Sequence, residues 1–415
     1  MTLKRIVARD IGRARFDPID EPTRARAATI LADVREGGAL AVREHAERLG
    51  DIRPGGALVI ERAELDKALS ELPKTDRETL ERTAERITVF AQAQLRALVP
   101  VDIAVDSGRA GHEVRPMRAA GCYAPGGRFP LPSSVLMTAV TARVAGVRDV
   151  IVASPRPTQV TLAAAAIAKA DALLCVGGAQ AIGAFAYGAG VVTPRDVIVG
   201  PGNRWVTAAK QLVAGIVAID MLAGPSELVV IADDSARADV IAADLLAQAE
   251  HDVDALPVLV TTSAPLADAV DAELTRQLAT LPTRETARYA LERGFCVLVR
   301  DLDEAAAASD MLAPEHLELQ VRDIPALRAK LHAFGALFLG AGAAEVFGDY
   351  GVGPNHVLPT GGSARFTGGL SVLTFLRVRT WLAMDHASSA LIDDAACLAR
   401  LEGLEAHARA AEARR

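Results

Sequence analysis

The sequence predicts an α/β fold of two stacked α/β domains with mainly parallel sheets, flanked by helical segments at the N- and C-termini. A chain of 415 residues is long enough for about two or three domains. The first hundred or so residues repeat apolar positions at three-to-four spacing among acidic and basic neighbours, as amphipathic helices do. From about Met117 onward, short apolar runs alternate with alanine-rich helical segments.

These short apolar runs are typical of buried parallel strands. They are DVIVAS (149–154), ALLCVGG (172–178), DVIVGPG (196–202), ELVVIAD (227–233), LPVLVTT (256–262), FCVLVRD (295–301) and ALFLG (336–340). Helices between them indicate β-α-β units, whose ligands bind at the carboxyl ends of the strands. A Gly-Pro turn at 223–225 marks the expected start of a second domain, and after about Leu373 the pattern returns to helices.

The composition argues against several classes of protein. With 45 basic and 52 acidic residues the formal charge is −7, which disfavours nucleic-acid binding and a basic membrane-binding face. The four cysteines form no CxxC pair, so neither a disulfide framework nor a thiolate zinc site is expected. The uncharged stretch 172–194 contains five glycines and a proline, and it is interpreted as buried α/β core and not as a membrane span. The N-terminus has no apolar signal region, so a soluble, cytoplasmic protein is the expectation.

Two short motifs carry candidate functional side chains. The segment IAADLLAQAEH (241–251) predicts a helix with Gln248 and His251 on one face near its end, where an amide oxygen and an imidazole can be two ligands of a divalent metal. A half-buried structural histidine is the alternative. In LAPEHLELQ (312–320), Glu315 and His316 place a carboxylate beside an imidazole, which can accept a proton near neutral pH. A surface Glu-His pair is the alternative there.

Two further places combine carboxylates or amides with histidine. The loop GDYGVGPNHVLPT (348–360) holds Asp349, Asn355 and His356 among glycines and prolines that fix the backbone, although a solvated turn would also explain its glycines and prolines. Glu402 and His407 are five residues apart, about 140° of helical rotation, so they could flank a bound molecule. A functional His407 requires its terminal helix to pack against another surface, such as a second subunit.

The standard nucleotide-binding motifs do not occur in the sequence. The nearest match to the dinucleotide fingerprint, GAGAAE at Gly340, has Glu345 in place of the third glycine. Cys122, in GCYAPGG, has no adjacent base, which disfavours a thiol nucleophile. The glycine turns GPGN (200–203) and AGPSE (223–227) follow strands and suit the close approach of a cofactor or substrate.

Seven motifs, taken together and in order, closely resemble the histidinol dehydrogenase family. They are GCYAPGGRFPLPSSVLMTA, VGGAQAIGAFAYG, VGPGNRWVTAAK, IDMLAGPSE, LLAQAEHD, LAPEHLELQ and GDYGVGPNHVLPT. The resemblance covers nearly the whole chain and is strongest from Gly121 to Thr360. It implies two Rossmann-like α/β domains and an NAD-dependent zinc enzyme. Such an enzyme oxidises L-histidinol through a bound aldehyde to L-histidine, the last step of histidine biosynthesis.

Carried onto matching positions, the resemblance implies a role for each motif residue. One zinc ion per subunit would be held by Gln248, His251, Asp349 and His407, the last supplied by the partner chain of a homodimer with shared active sites. His316 would be the general base for the alcohol, and Glu315 would activate the water that attacks the aldehyde. Substrate contacts are expected from Ser226, Gln248, His251, His316, Asp349, His356, Glu402 and His407. NAD contacts are expected from Tyr123, Gln180 and Asn203.

The expected domain organisation has four parts. They are an N-terminal segment (1–25), a discontinuous first domain (26–118 with 227–371) with most metal and catalytic residues, a second domain on the NAD side (119–226), and a C-terminal helical segment (372–415) that packs on the partner subunit.

The run TGGSARFTGGLSVLTFLRVRTWLAMDHA differs from the family pattern in a region that should border the pocket. A second hypothesis is therefore a related zinc- and NAD-dependent dehydrogenase of another small alcohol, such as a sulfonated diol, with Arg365 as a candidate for binding the sulfonate. A third hypothesis, a metal-binding or assembly protein on a degenerate enzyme scaffold, is disfavoured because Glu315, His316 and the four expected metal ligands are all present.

Overall fold

The computed structural model describes residues 2–13, 19–126 and 130–415. Its strands are β1 (Lys4–Ile6), β2 (Val59–Glu61), β3 (Val101–Val105), β4 (Gly108–Pro116), β5 (Ala119–Tyr123), β6 (Asp149–Ala153), β7 (Ala172–Leu174), β8 (Val197–Val199), β9 (Ala218–Ile219), β10 (Glu227–Ala232), β11 (Leu256–Thr261), β12 (Phe295–Leu298), β13 (His316–Gln320), β14 (Ala336–Leu339) and β15 (Leu376–Met384). Its α-helices are α1 (Glu21–Arg48), α2 (Arg62–Ser70), α3 (Lys74–Arg96), α4 (Pro132–Ala145), α5 (Gln159–Ile167), α6 (Gly178–Tyr187), α7 (Arg204–Val213), α8 (Ala238–Ala249), α9 (Ala264–Leu278), α10 (Arg284–Arg293), α11 (Leu302–Leu312), α12 (Ile324–Arg328), α13 (Glu345–Asp349), α14 (Ser389–Leu401) and α15 (Glu405–Glu412). Short 3₁₀ helices span Ala8–Arg13, Ser363–Arg365 and Val372–Phe375.

The first of two six-stranded sheets, the N-terminal sheet, has the order β2-β7-β6-β5-β8-β9. It is parallel except for β2, which runs antiparallel to β7. Helices α1, α6 and α7 cover one face, and α2 to α5 cover the other. Apolar side chains fill both faces of the central strands β5 to β8, which are buried on both sides, as the near-continuous apolar runs predict.

The second sheet, the C-terminal sheet, is parallel throughout, with the order β1-β12-β11-β10-β13-β14. Helices α8, α9 and α10 lie on one face, and α11, α12 and the 3₁₀ helix Ala8–Arg13 lie on the other. All seven apolar runs singled out in the sequence contain strands of one of these two sheets. The α/β class with mainly parallel sheets is confirmed.

The first hundred residues pack differently from the expected grouping of 26–118 with 227–371. Strand β2 extends the N-terminal sheet, and α1 packs on α6 and α7 through Leu31 and Val34, which meet Gly183. The expected N-terminal segment is also not separate, because β1 pairs with β12 at the edge of the C-terminal sheet. The spacing of apolar residues shows which face of a helix is buried, but not which sheet that face packs against. The predicted grouping of 26–118 with 227–371 differs from the structure for this reason.

The expected C-terminal helical segment is not helical throughout, because a long strand, β15, follows its first 3₁₀ helix, Val372–Phe375. Strand β15 pairs along its whole length with β4, which also pairs with β3, to form a three-stranded antiparallel sheet. Helices α14 and α15 follow and pack on each other through Ala396, Ala399 and Ala408. We call this sheet and the two helices the arm. Large apolar side chains are exposed along it, among them Leu382 at 65% and Leu401 at 80%.

No helix in the described parts of the chain combines the length and the apolar character that crossing a bilayer requires.

Candidate active site

The candidate catalytic residues lie at the amino ends of two neighbouring strands of the C-terminal sheet. His316 is the first residue of β13 and pairs in register with Leu228 of β10, and Glu315 and Ser226 come directly before these strands. These candidate residues thus lie at amino ends of strands, whereas the sequence pattern predicts ligands at carboxyl ends. Because α8 runs back antiparallel to β10, Gln248 in its last turn and His251 just after the helix lie at the same edge.

The ring of His316 is buried and held in one tautomer. Its Nδ1 lies 3.1 Å from the carbonyl oxygen of Glu227, which can only accept, so Nδ1 carries the proton. Nε2 is left with a lone pair, has no hydrogen-bond partner among the described residues, and lies 3.7 Å from Oδ1 of Asp349. Burial lowers the pKa of His316 to about 4, against the raising effect of the nearby Asp349. The imidazole is therefore neutral at neutral pH and can accept a proton at Nε2.

Glu315 is a buried carboxyl group fixed by two donors. Its Oε2 accepts hydrogen bonds from the hydroxyl of Ser226 at 2.5 Å and from the backbone N–H of Glu227 at 2.9 Å. Burial raises the pKa of Glu315 well above its ordinary value, more than these two hydrogen bonds lower it. A carboxyl group of this kind is suited to exchange a proton with water near neutral pH.

Three side chains next to His316 form a group that can bind a metal ion. The ligand atoms of His251, Glu345 and Asp349 all lie within 4.8 Å of one another, and Nε2 of His251 is 3.5 Å from Oδ2 of Asp349. Among the described residues, the ion-pair partners of Asp349 are the imidazoles of His251 and His316. This buried negative charge, with nitrogen and oxygen donors and no thiolate, fits a borderline divalent cation such as zinc.

Gln248 lies beside this group and is fully buried. In its favourable amide orientation, the nitrogen donates to Glu345 at 3.1 Å and the oxygen lies 3.3 Å from the hydroxyl oxygen of Ser226. Gln248 and His251 therefore reach one site, as their spacing predicts, and the backbone N–H of His251 donates to the carbonyl of Gln248.

Sequence reasoning missed Glu345, noting it only as a mismatch to a glycine motif. A signal was present, since Glu345 and Asp349 are four residues apart and so share a face of α13. Burial raises the pKa of Glu345, and the neighbouring carboxyl groups, Asp349 and Glu315 foremost, raise it further. Its backbone N–H donates to Oε1 of Glu318 at 2.8 Å, which anchors α13 to β13.

His356 connects the segment around Asp349 to helix α4 of the N-terminal sheet. Its Nδ1 lies 2.9 Å from the carbonyl oxygen of Asp349, and its Nε2 lies 3.3 Å from the hydroxyl of Ser134 in the first turn of α4. The neighbouring Asn355 donates to the carbonyl of Met137 on the same helix. The loop that follows Asp349 is thus bonded to α4, which begins at the carboxyl edge of the N-terminal sheet.

Glu402 and His407 are not brought to this site within one chain. Both side chains are exposed, Glu402 at the end of α14 and His407 on α15 of the arm. Arg365 is also exposed, at the end of the 3₁₀ helix Ser363–Arg365.

The three residues expected to contact NAD lie at the carboxyl edge of the N-terminal sheet. Tyr123 ends β5, and its hydroxyl accepts from the N–H of Gly178 at 3.2 Å. Gln180, in the first turn of α6, donates to Asp51 at 3.0 Å. Asn203 follows β8 and caps α7, because its Oδ1 accepts from the N–H groups of Trp205 and Val206. The sequence pattern predicts ligands at carboxyl ends of strands, and these three candidate residues lie at such an edge.

Comparison with known proteins assigns the chain to a family. A model of the histidinol dehydrogenase family matches residues 15–415. The chain belongs to the histidinol dehydrogenase family. It is 46% identical to the histidinol dehydrogenase of Thermus thermophilus over 84% of this chain and 85% of that protein. It is 43% identical to that of Dechloromonas aromatica over 93% of this chain and 90% of that protein.

A solved histidinol dehydrogenase has the same fold along nearly the whole chain. The structure from Elizabethkingia anophelis superposes with a TM-score of 0.91 at 29% identity, covering 99% of this chain and 98% of that one. An acetylating aldehyde dehydrogenase from Geobacillus thermoglucosidasius, with a TM-score of 0.51 at 14% identity, shares the fold alone. The protein is thus an oxidoreductase of the histidinol dehydrogenase family.

Proposed function

We propose that this chain oxidises L-histidinol through bound L-histidinaldehyde to L-histidine, using NAD and one zinc ion per subunit. We further propose that it acts as a cytoplasmic homodimer with shared active sites. The observation that carries the proposal is the convergence of His316, Glu315 and the group of His251, Glu345 and Asp349 at one edge of the C-terminal sheet.

Gln248, His251 and Asp349 would hold the metal ion together with His407 from the arm of a second subunit. The exposure of His407 and of the apolar side chains on the arm supports an arm that packs on a partner chain. When bound, a zinc ion would orient the substrate and polarise its alcohol oxygen. Ser226 and Glu402 would contact the substrate, and the acidic character of the site suits its cationic amine.

His316 would remove the proton of the alcohol. The hydrogen bond between its Nδ1–H and the carbonyl of Glu227 leaves Nε2 unprotonated, and Nε2 faces the carboxylate of Asp349. A hydroxyl group is too weak an acid to lose its proton unaided as hydride departs, so a base in contact with it is needed. Tyr123, Gln180 and Asn203 would hold NAD at the carboxyl edge of the N-terminal sheet, and the bound cofactor would supply the hydride acceptor for both oxidations.

Glu315 would activate the water that attacks the aldehyde. Replacing Glu315 with glutamine is expected to slow aldehyde oxidation by about 10²- to 10⁴-fold, since the amide cannot take up a proton from water. The amide oxygen can still accept from Ser226 and Glu227, so folding and the first oxidation should be retained. Stopped-flow measurement of NADH would then show the first hydride transfer at a near-normal rate and the second delayed. Equal loss of both steps would contradict this division of roles.

The overall proposal is tested by stoichiometry and by metal removal. Purified protein with zinc and NAD should form two NADH for each L-histidinol consumed. Chelation followed by dialysis should abolish activity, and added zinc should restore it because the protein ligands remain in place. Absence of NADH with L-histidinol in the zinc-loaded protein would overturn the proposal.

A second candidate function is oxidation of another small alcohol by the same chemistry. The region 360–387, which carries Arg365, is the observation that favours it. Turnover of a sulfonated diol with no turnover of L-histidinol would select this alternative.

A further inference from the structure

A buried ion pair lies behind the candidate cofactor loop at residues 200–203. Lys210, on α7, and Asp220, directly after β9, contact each other through Nζ and Oδ1. Their side chains are 2% and 0% exposed. Asp220 also accepts from the backbone N–H of Met221 at 2.6 Å.

Both side chains also form a hydrogen bond with the backbone of the same residue, Gly200. Oδ2 of Asp220 accepts from the N–H of Gly200 at 2.7 Å, and Nζ of Lys210 donates to its carbonyl oxygen at 3.0 Å. Gly200 has a φ of 117°, and a Cβ atom there would lie 2.0 Å from the carbonyl oxygen of Tyr123. Both polar backbone groups and the Cα of Gly200 are therefore fixed, three residues before Asn203.

A second ion pair on the same sheet does not show this arrangement. The buried Arg195 contacts the half-exposed Asp149 at 2.7 Å. Asp149 is the first residue of β6 and Arg195 precedes β8, so the pair lies at the amino edge, opposite Asn203. The two pairs differ in that only Lys210 and Asp220 bind the backbone of the loop at the carboxyl edge.

We infer that Lys210 and Asp220 are positioning residues for NAD, which hold the loop 200–203 in the shape that presents Asn203 to the cofactor. This inference rests on the proposed NAD-dependent function. A buried ion pair often adds little net stability compared with apolar residues of the same volume, so stability alone does not account for it. If the loop already has its binding conformation, NAD binding does not have to order it and so costs less conformational entropy.

The test is a pair of double variants in the zinc-loaded, full-length protein. Lys210→Met combined with Asp220→Asn removes both charges together, so no buried charge is left unpaired. We expect NAD to bind about ten-fold more weakly in calorimetry, with the KM for NAD rising in parallel, because the loop has to be ordered on binding. The KM for L-histidinol and the zinc content should stay unchanged. The single variant Asp220→Asn, whose amide oxygen can still accept from Gly200 but which leaves the buried Lys210 without its carboxylate partner, should also lose NAD affinity.

The control is Arg195→Met combined with Asp149→Asn. It should lower the temperature of unfolding while leaving NAD affinity as in the unmodified protein. The inference is overturned if Asp220→Asn or the Lys210 double variant folds and binds NAD normally, or if both double variants lose NAD affinity equally. Failure of the unmodified protein to bind NAD would overturn the proposed function as well, so the two failures are distinguishable.

Discussion

Replacing His316 with alanine should lower the rate of L-histidinol oxidation by about 10²- to 10⁴-fold, the usual contribution of a positioned general base. The loss should fall on kcat, because the base acts on the alcohol proton in the transition state and not on binding of the cofactor. A second variant, His316→Asn, keeps a polar side chain of similar size that can still donate to the carbonyl of Glu227. It should be as slow as the alanine variant, although better folded.

The measurement is single-turnover formation of NADH from L-histidinol, with zinc content and NAD affinity determined for each variant. Zinc and NAD binding should remain near the values of the unmodified protein. Near-normal rates in His316→Asn would show that the imidazole is structural and that another group removes the proton.

Mixing two inactive variants should restore activity if each site is built from two chains. His251→Ala removes a proposed metal ligand within the chain, and His407→Ala removes the proposed ligand from the arm. Random pairing makes half of the dimers mixed, each with one doubly deficient and one intact site, so about one quarter of full activity should return. Steady-state assays after co-refolding equal amounts of the two chains would measure this recovery.

The matched control mixes His251→Ala with Asp349→Asn. Both residues belong to the group formed within one chain, so every site of a mixed dimer keeps one defect and activity should stay absent. If the pair with His407→Ala also stays inactive, while its chains do form mixed dimers, His407 does not complete the site of a partner.

Much of the fold follows from patterns that the sequence shows directly. The apolar runs identified strands such as Glu227–Ala232 and Leu256–Thr261 because strands buried on both faces have few polar residues. Helix spacing placed Gln248 and His251 together at the end of α8 for a similarly local reason.

Other features depend on contacts between distant parts of the chain. Strand β15 contains Arg377 and Arg379 and is mostly exposed, so it lacks the apolar signal of a buried strand and was expected to be helical. The location of the candidate catalytic residues at the amino ends of strands depends on how the two sheets face each other, which no local pattern encodes. Glu345 escaped notice because a buried carboxyl group is recognised by its neighbours and not by its own motif.

The site joins parts of the fold that differ in local stability. His316 begins β13, which lies between β10 and β14, whereas Asp349 ends the five-residue helix α13, beside the exposed Phe347 and Tyr350. Short segments with exposed apolar side chains open at lower free energy than central strands. Amide hydrogens of α13 should therefore exchange with solvent well before those of β13. On warming, the proposed zinc site would therefore open while the sheet that carries His316 remains folded.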